Sequence, residues 1–150
     1  MTKLETHRDR LIQLFNNQYF MVLATQSRGE LHTCLVSFAS STDLHWFYFM
    51  TPRTSRKFKN LKENPRVSLF IDNRSNKVQD IGEAMGITVV GEAEEVPQVD
   101  IQDALNFFLQ KNGYLHDFAH APDSCMVRVR VNRYRLVTRF QEVADLILED

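Results

Sequence analysis

Apolar residues recur along this chain in two rhythms, and the switches between them mark its elements. Leu4, Leu11, Ile12 and Phe15 fall on one face at helical spacing, and Thr2-Lys-Leu-Glu5 has the form of a capping box that would open that helix. Residues 19–25, Tyr-Phe-Met-Val-Leu-Ala-Thr, then make an apolar run of strand length, closed by the turn-like Ser27-Arg-Gly-Glu30. Two further strand-like runs, residues 32–39 and 44–50, are joined by the polar Ser40-Ser-Thr-Asp43. Connections this short leave no room for crossovers, so these three strands are expected to form an antiparallel meander.

A short amphipathic helix is predicted after Thr54, with Phe58 and Leu61 inward. It should stop at Asn64-Pro65, because a residue before proline is driven out of the helical region. Residues 66–72 read as a fourth strand, and a polar loop over residues 73–83 leads to a fifth at residues 86–96. Helical spacing returns at Ile101, Leu105, Phe108 and Leu109, with Gly113 placed to cap its C-terminus. Val127, Val129 and Val131 then alternate with Arg128 and Arg130, and a last strand segment is predicted over residues 134–140. The sum is a mainly β, α+β domain over residues 1–150: a six- to seven-stranded antiparallel barrel with about three peripheral helices.

Composition narrows the functional classes. The chain has 150 residues, enough for one domain with a real core and short for two. Its formal charge of −1 gives no overall pull toward nucleic acid or an anionic membrane. No apolar run reaches bilayer-spanning length, and the polar start Met-Thr-Lys-Leu-Glu completes the expectation of a soluble cytoplasmic protein. The two cysteines, Cys34 and Cys125, lie in apolar runs without paired spacing, which predicts buried free thiols. Eleven phenylalanines against five glycines predict a well-filled core.

The chemistry concentrates at Thr51-Pro-Arg-Thr-Ser-Arg-Lys57, between an apolar strand and a helix start. Unpaired backbone N–H groups gather at such a start, and here hydroxyls and cations crowd around them. An anion is expected there, and a phosphate-bearing ligand is the natural candidate. Hydroxyls can donate to phosphate oxygens, Lys57 supplies a point charge and Arg56 a forked donor. The competing reading is a solvated basic helix face formed by Arg53, Arg56, Lys57, Lys59 and Lys62.

The order of strand, Thr51-x3-Ser55-Arg56-Lys57, helix and Asn64-Pro-Arg-Val-Ser-Leu69 resembles the pyridoxamine 5′-phosphate oxidase-related family of FMN-binding split barrels. The likeness runs from about residue 19 to 96 and includes the strand ending Gly91-Glu-Ala-Glu-Glu-Val96. It implies that Thr51, Ser55, Arg56 and Lys57 hold the FMN phosphate and that Met50 borders the ribityl chain or ring. It places His32-Thr-Cys-Leu-Val-Ser37 beneath the flavin, with backbone groups at Leu35 and Val36 meeting the polar ring edge. His32 itself reads two ways, as a stand-in for the family's arginine at the phosphate or ring, or as a hydrogen-bonded strand histidine. It also implies a homodimer with FMN at the interface. The chain departs from the pattern at three places: His32, Ser37 and Gly86 stand where pyridoxamine phosphate oxidases carry Arg, Lys and Gln. The C-terminal Trp and Arg-Leu-His-like motif are absent as well. The resemblance therefore carries FMN binding further than vitamin B6 oxidation.

Other candidates are weaker. His116 and His120 would share a helix face, but no third ligand is apparent and Pro122 follows at once, so a polar loop or helix end is expected rather than a metal site. Of Trp46, Phe47, Tyr48 and Phe49, alternation lets at most half line a cavity. Arg128 and Arg130 are expected on the wet face of an edge strand, or at a dimer interface where Arg139 or Phe140 reaches the partner's flavin. Neither cysteine has a neighbouring base in sequence, and no catalytic residue is assigned. The expectation is an FMN-dependent oxidoreductase acting on a small molecule or redox partner. The alternatives are a flavin-binding electron carrier without its own substrate, and a split barrel holding haem or another cofactor in the same cleft.

Overall fold

The capping box forms as expected: Thr2 N–H donates to Glu5 Oε2 at 2.9 Å, and Glu5 N–H donates back to Thr2 Oγ1 at 3.1 Å. It opens α1 (Lys3–Asn17) in the computed structural model, which describes residues 2–138 and 142–148. Leu11, Leu14 and Phe15 bury the apolar face of this helix. The chain continues through β1 (Phe20–Ser27), β2 (Glu30–Ser37), β3 (Ala39–Ser40), β4 (Trp46–Pro52), α2 (Arg56–Glu63), β5 (Arg66–Asp72), α3 (Asp80–Glu83) and β6 (Gly86–Glu95). It ends with α4 (Ile101–Lys111), α5 (His116–Ala119), β7 (Ser124–Thr138) and β8 (Glu142–Ile147).

All the strands join one antiparallel sheet in the order β2-β1-β5-β6-β7-β4-β3, with β8 paired to β7. β1 and β2 make a hairpin whose two turn residues, Arg28 and Gly29, both have positive φ (53° and 79°). That backbone twist matches the twist of the flanking strands.

The expected meander is corrected here. The run of residues 32–39 is not one strand: β2 pairs with β1 at one end of the sheet, while β3 pairs with β4 at the other. Phe38, wholly buried, is the bend between them. One continuous stretch of chain thus belongs to both edges, and its bend draws the curled sheet into a split barrel. The two segments expected near the C-terminus are in turn one strand, β7, lying between β6 and β4, so Arg128 is not on an edge. Its guanidinium lies over the Trp46 ring, 4.6 Å from the centroid, and bonds Glu94 at 2.7 Å. Opposite the register shift of β6 against β7 stands Gly91, where any Cβ would come within 2.3 Å of the Arg130 carbonyl oxygen. β8 has no periodic apolar pattern to announce it, and the expected contacts of Arg139 and Phe140 lie outside the described residues.

Within the barrel, Phe15 meets Phe47 at 5.0 Å, Tyr134 at 6.0 Å and Phe38 at 6.5 Å between ring centroids. Burial of these rings on folding is the main apolar contribution at this end of the barrel. The Tyr134 hydroxyl, buried among them, donates to the Leu44 carbonyl at 2.6 Å. α4 ends at Asn112, not at a glycine cap: the wholly buried Asn112 amide donates to the carbonyls of Phe38 (3.1 Å) and Phe108 (3.2 Å), and Gly113 starts a tight turn instead. The outer face of β2, β1 and β5 stays apolar, with Leu35, Val22 and Phe70 in one cross-strand row and Phe20 and Leu31 nearby.

Candidate cofactor site

β4 runs apolar through Met50 and then delivers Thr51 and Pro52 into the turn that starts α2. Ser55 is the N-cap of that helix, its Oγ accepting from Phe58 N–H at 3.2 Å. Thr51 Oγ1 lies 2.6 Å from Ser55 Oγ and is wholly buried. The bookkeeping of these two hydroxyls matters. If Thr51 donates to Ser55, the Ser55 proton is free to leave the pair; if Ser55 donates to Thr51, the Thr51 proton goes to the Pro52 carbonyl at 3.3 Å. So Ser55 can offer an outward proton, whereas Thr51 acts from inside the turn. The Thr51 carbonyl accepts from the thiol of Cys125, at 3.3 Å, and burial pushes that thiol up to about 11.

α2 begins between two clefts. One, of about 550 Å³, lies between the β1–β2 hairpin and the helix and is polar: His32, Thr54, Arg56, Lys59, Asn60 and Glu63 are among its lining. The Asn60 amide donates to Thr25 Oγ1 at 3.0 Å, and Ser27 Oγ donates to Glu63, so the wall itself is tied down. His32 Nδ1 is buried and has no hydrogen-bond partner, an uncommon state for a buried polar atom. Among the described residues, Arg56, Lys57 and Lys59 make no ion pair, whereas Arg53 is held by Glu95 at 2.5 Å.

The other cleft, of about 300 Å³, is mostly apolar. Leu35, Val36 and Ser37 of β2 form one side, Met50 and Pro52 of β4 another, and Phe108, Leu115 and Phe118 a cover; Lys57 is its one charged lining residue. Phe108 comes from α4, and Leu115 and Phe118 from the turn and α5, which sequence reading had no reason to connect to the strand at residue 35. The signal that could have found them is the apolar pair Leu115 and Phe118 inside an otherwise polar loop.

The predicted site residues are thus brought to one place but divided. His32 and Arg56 line the polar cleft; Leu35, Val36, Met50 and Lys57 line the apolar one; Thr51 and Ser55 build the turn between them. Both clefts open along β2, and the six residues from His32 to Ser37 extend over about 17 Å. None of Trp46, Phe47, Tyr48 and Phe49 lines either cleft: Phe47 and Phe49 are wholly buried, and Tyr48 meets Phe107 at 5.6 Å. The rings of His116, which starts α5, and His120, which follows its end, lie 4.2 Å apart. Among the described residues, no three His, Cys, Asp or Glu gather as metal ligands, and no helix is long and apolar enough to cross a membrane.

The family model described as pyridoxamine 5′-phosphate oxidase matches residues 8–138. No curated protein matches this sequence. Solved structures share the fold at low identity. The haem-binding protein from Mycobacterium smegmatis is 18% identical with a TM-score of 0.80, covering 94% of this chain and 57% of its own. Campylobacter jejuni ChuZ is 16% identical with a TM-score of 0.80, over 98% of this chain and 61% of its own. An FAD-binding protein from Mesorhizobium loti is 17% identical with a TM-score of 0.68, over 91% and 92%. This chain therefore spans about three fifths of the first two and nearly the whole of the third.

Proposed function

The chain belongs to the pyridoxamine 5′-phosphate oxidase family, and from that premise we propose that it is a flavoprotein, an FMN-dependent oxidoreductase whose cofactor lies along β2. The observation that carries this reading is the pair of clefts on either side of the α2 start: one polar with uncommitted donors, the other apolar, joined by one extended strand. A phosphate fits the first, where His32 Nδ1 lacks a partner, Arg56 and Lys59 make no ion pair among the described residues, and Glu63, which with Glu30 shares the lining, is held by Ser27. Ser55 and the first N–H groups of α2 add donors from the turn. A flat ring system fits the second, against Met50 and under Phe108 and Phe118, with backbone groups at Leu35 and Val36 toward its polar edge. Thr51 positions Ser55 rather than touching the ligand. When bound, the flavin supplies hydride or electron exchange at its N5, and the chain supplies anchoring, orientation and shelter from water.

The apolar row Leu35–Val22–Phe70, with Phe20 beside it, is the surface this reading gives to a second copy of the chain, since Leu35 also borders the ring cleft. The small-molecule substrate or redox partner would then enter beside α5.

One experiment tests the cofactor: titrate the full chain with FMN, riboflavin and haem while recording the visible spectrum. Uptake of one FMN per chain, weaker uptake of riboflavin, and flavin bands in the bound state are expected. A chain that takes up no flavin would sink the reading. Haem is the second reading, favoured by the Mycobacterium smegmatis neighbour and by the Met50 thioether in the apolar cleft, which could serve as an axial ligand. An intense Soret band in the same titration, lost in Met50→Leu, would select it.

A further inference from the structure

A third cavity, of about 450 Å³, shares no lining residue with either cleft beside α2. It lies where one end of the barrel meets α1: Asn73 follows the end of β5, Met85 precedes β6, and Thr138 is the last residue of β7. Leu14 and Met85, both buried in the core, supply its apolar lining. We propose that this cavity is a second ligand site, for a small zwitterion of the free amino-acid class, in which Arg10 takes the carboxylate and Glu83 the ammonium. The site is independent of the flavin reading above.

Helical spacing puts Arg10, Gln13, Leu14 and Asn17 on one stripe of α1. A polar helix stripe normally faces open water; this one faces a wall made by Asn73, Gly82 and Glu83. That wall is fixed by its own hydrogen bonds. Asn73 Oδ1 accepts from Met85 N–H at 2.7 Å, and the Asp80 carboxylate at the start of α3 accepts from Ser75 N–H at 2.8 Å and Asn76 N–H at 2.7 Å. The groups lining the cavity are by contrast uncommitted. Among the described residues Arg10 and Glu83 make no ion pair, with each other or with a third residue, and the side chains of Gln13 and Asn17 make no hydrogen bond. With its oxygen spent on Met85, the Asn73 amide offers the cavity its N–H groups. One cation, one carboxylate and several neutral amides suit a ligand that carries both charges. A bare anion would meet Glu83 and a bare cation Arg10, so each is disfavoured by one wall. The amides supply donors and acceptors for the polar remainder of the ligand. Barrel mouths are recurrent places for small molecules, and the volume lies within the usual range of such pockets.

Isothermal titration calorimetry of the full chain tests the site, with glycine, L-serine, L-asparagine and L-glutamine as probes. Saturable binding of at least one of them, one molecule per chain, is expected; no saturable binding by any would overturn the proposal. The N-acetyl form of the tightest probe lacks the ammonium, and its carboxamide form lacks the carboxylate. Each should bind the unaltered chain about tenfold or more weakly, as the loss of one charged hydrogen bond implies. Arg10→Gln should weaken the free amino acid by that factor and no longer distinguish it from the carboxamide. Glu83→Gln should weaken it likewise and no longer distinguish it from the N-acetyl form. Both positions are exposed, and Arg10→Lys, which keeps the charge, should retain the preference for the free acid. Equal losses for all three forms of the probe, or wild-type affinity in both glutamine variants, would overturn the assignment. Saturating FMN should leave amino-acid affinity unchanged, since the cavity shares no residue with the clefts beside α2. Competition between the two would place the amino acid in those clefts and overturn the proposal without touching the flavin reading.

Discussion

The seam that closes the barrel and the turn that starts α2 lie at the two ends of β4's neighbourhood, and they treat polar groups in opposite ways. At the seam every buried donor is used. Asn112 serves the carbonyls of Phe38 and Phe108, Tyr134 serves Leu44, and the Lys111 ammonium donates to Phe15 O at 2.8 Å and Gln18 O at 2.6 Å while lying 3.7 Å over the Phe38 ring. At the α2 turn, His32 Nδ1 has no hydrogen-bond partner and, among the described residues, Arg56, Lys57 and Lys59 make no ion pair. A protein gains stability by satisfying its buried polar groups and loses affinity for ligands when the site satisfies itself. The seam is built for the first purpose and the turn is left open for the second.

The largest effect should come from breaking the seam at its bend. Phe38→Ala removes a wholly buried ring where β2 passes into β3, and comparable core truncations cost about 3–5 kcal/mol. Urea unfolding followed by circular dichroism measures it. A loss below about 1 kcal/mol would mean that the barrel is held elsewhere, because so small a cost is ordinary for any position. Tyr134→Phe is a finer cut. It keeps the ring and strands only the Leu44 carbonyl, for which a loss of about 1–3 kcal/mol is expected. Arg56→Gln should lie within about 0.5 kcal/mol of the unaltered chain in the same assay, as exposed substitutions do. Equal losses in Tyr134→Phe and Arg56→Gln would erase the distinction between the two regions.

The same two regions show what a sequence can and cannot disclose. The α2 turn was legible because everything that makes it is local: Ser55 caps its own helix, Thr51 reaches it four residues away, and Asn64-Pro65 stops the helix. The seam was not. Phe38 and Ala39 are as apolar as the strand before them, so periodicity reads residues 32–39 as one strand; only the curl of the whole sheet decides that β3 leaves for β4. Gly113 misled for the opposite reason, since its local signal was sound but Asn112 found partners on Phe38, 74 positions away in sequence. β8 carries charge at Glu142 and Asp145, and its pairing with β7 rests in part on Arg135, which bonds Asp145 at 2.7 Å, a contact no local pattern announces. In the site, the order of cations was readable but their division was not, because which cleft each enters depends on β2 and α5.

A pH series tests whether Lys111 belongs to the seam as a charge or as a donor. Burial lowers its ammonium from 10.5 to about 8 in the folded chain. Between those two values the unfolded chain binds more protons than the folded one, so this group makes stability rise with pH across that window; below pH 8 its burial penalty is fully present. The neutral amine still carries two N–H bonds, enough for both Phe15 O and Gln18 O, so deprotonation need not open the seam. The thiols of Cys34 and Cys125, raised by burial from 9.0, give the opposite slope, since an acid that ionises later in the folded state loses stability as pH climbs. The measurement is therefore a difference: urea stability of the unaltered chain minus that of Lys111→Met, followed from pH 7 to 10. That difference should grow with pH, because only the unaltered chain sheds the cost of a buried charge. A flat difference would show that the carbonyls and the Phe38 face fully compensate the buried ammonium. The seam would then be as complete with its cation as without it, and the contrast with the open α2 turn would be sharper still.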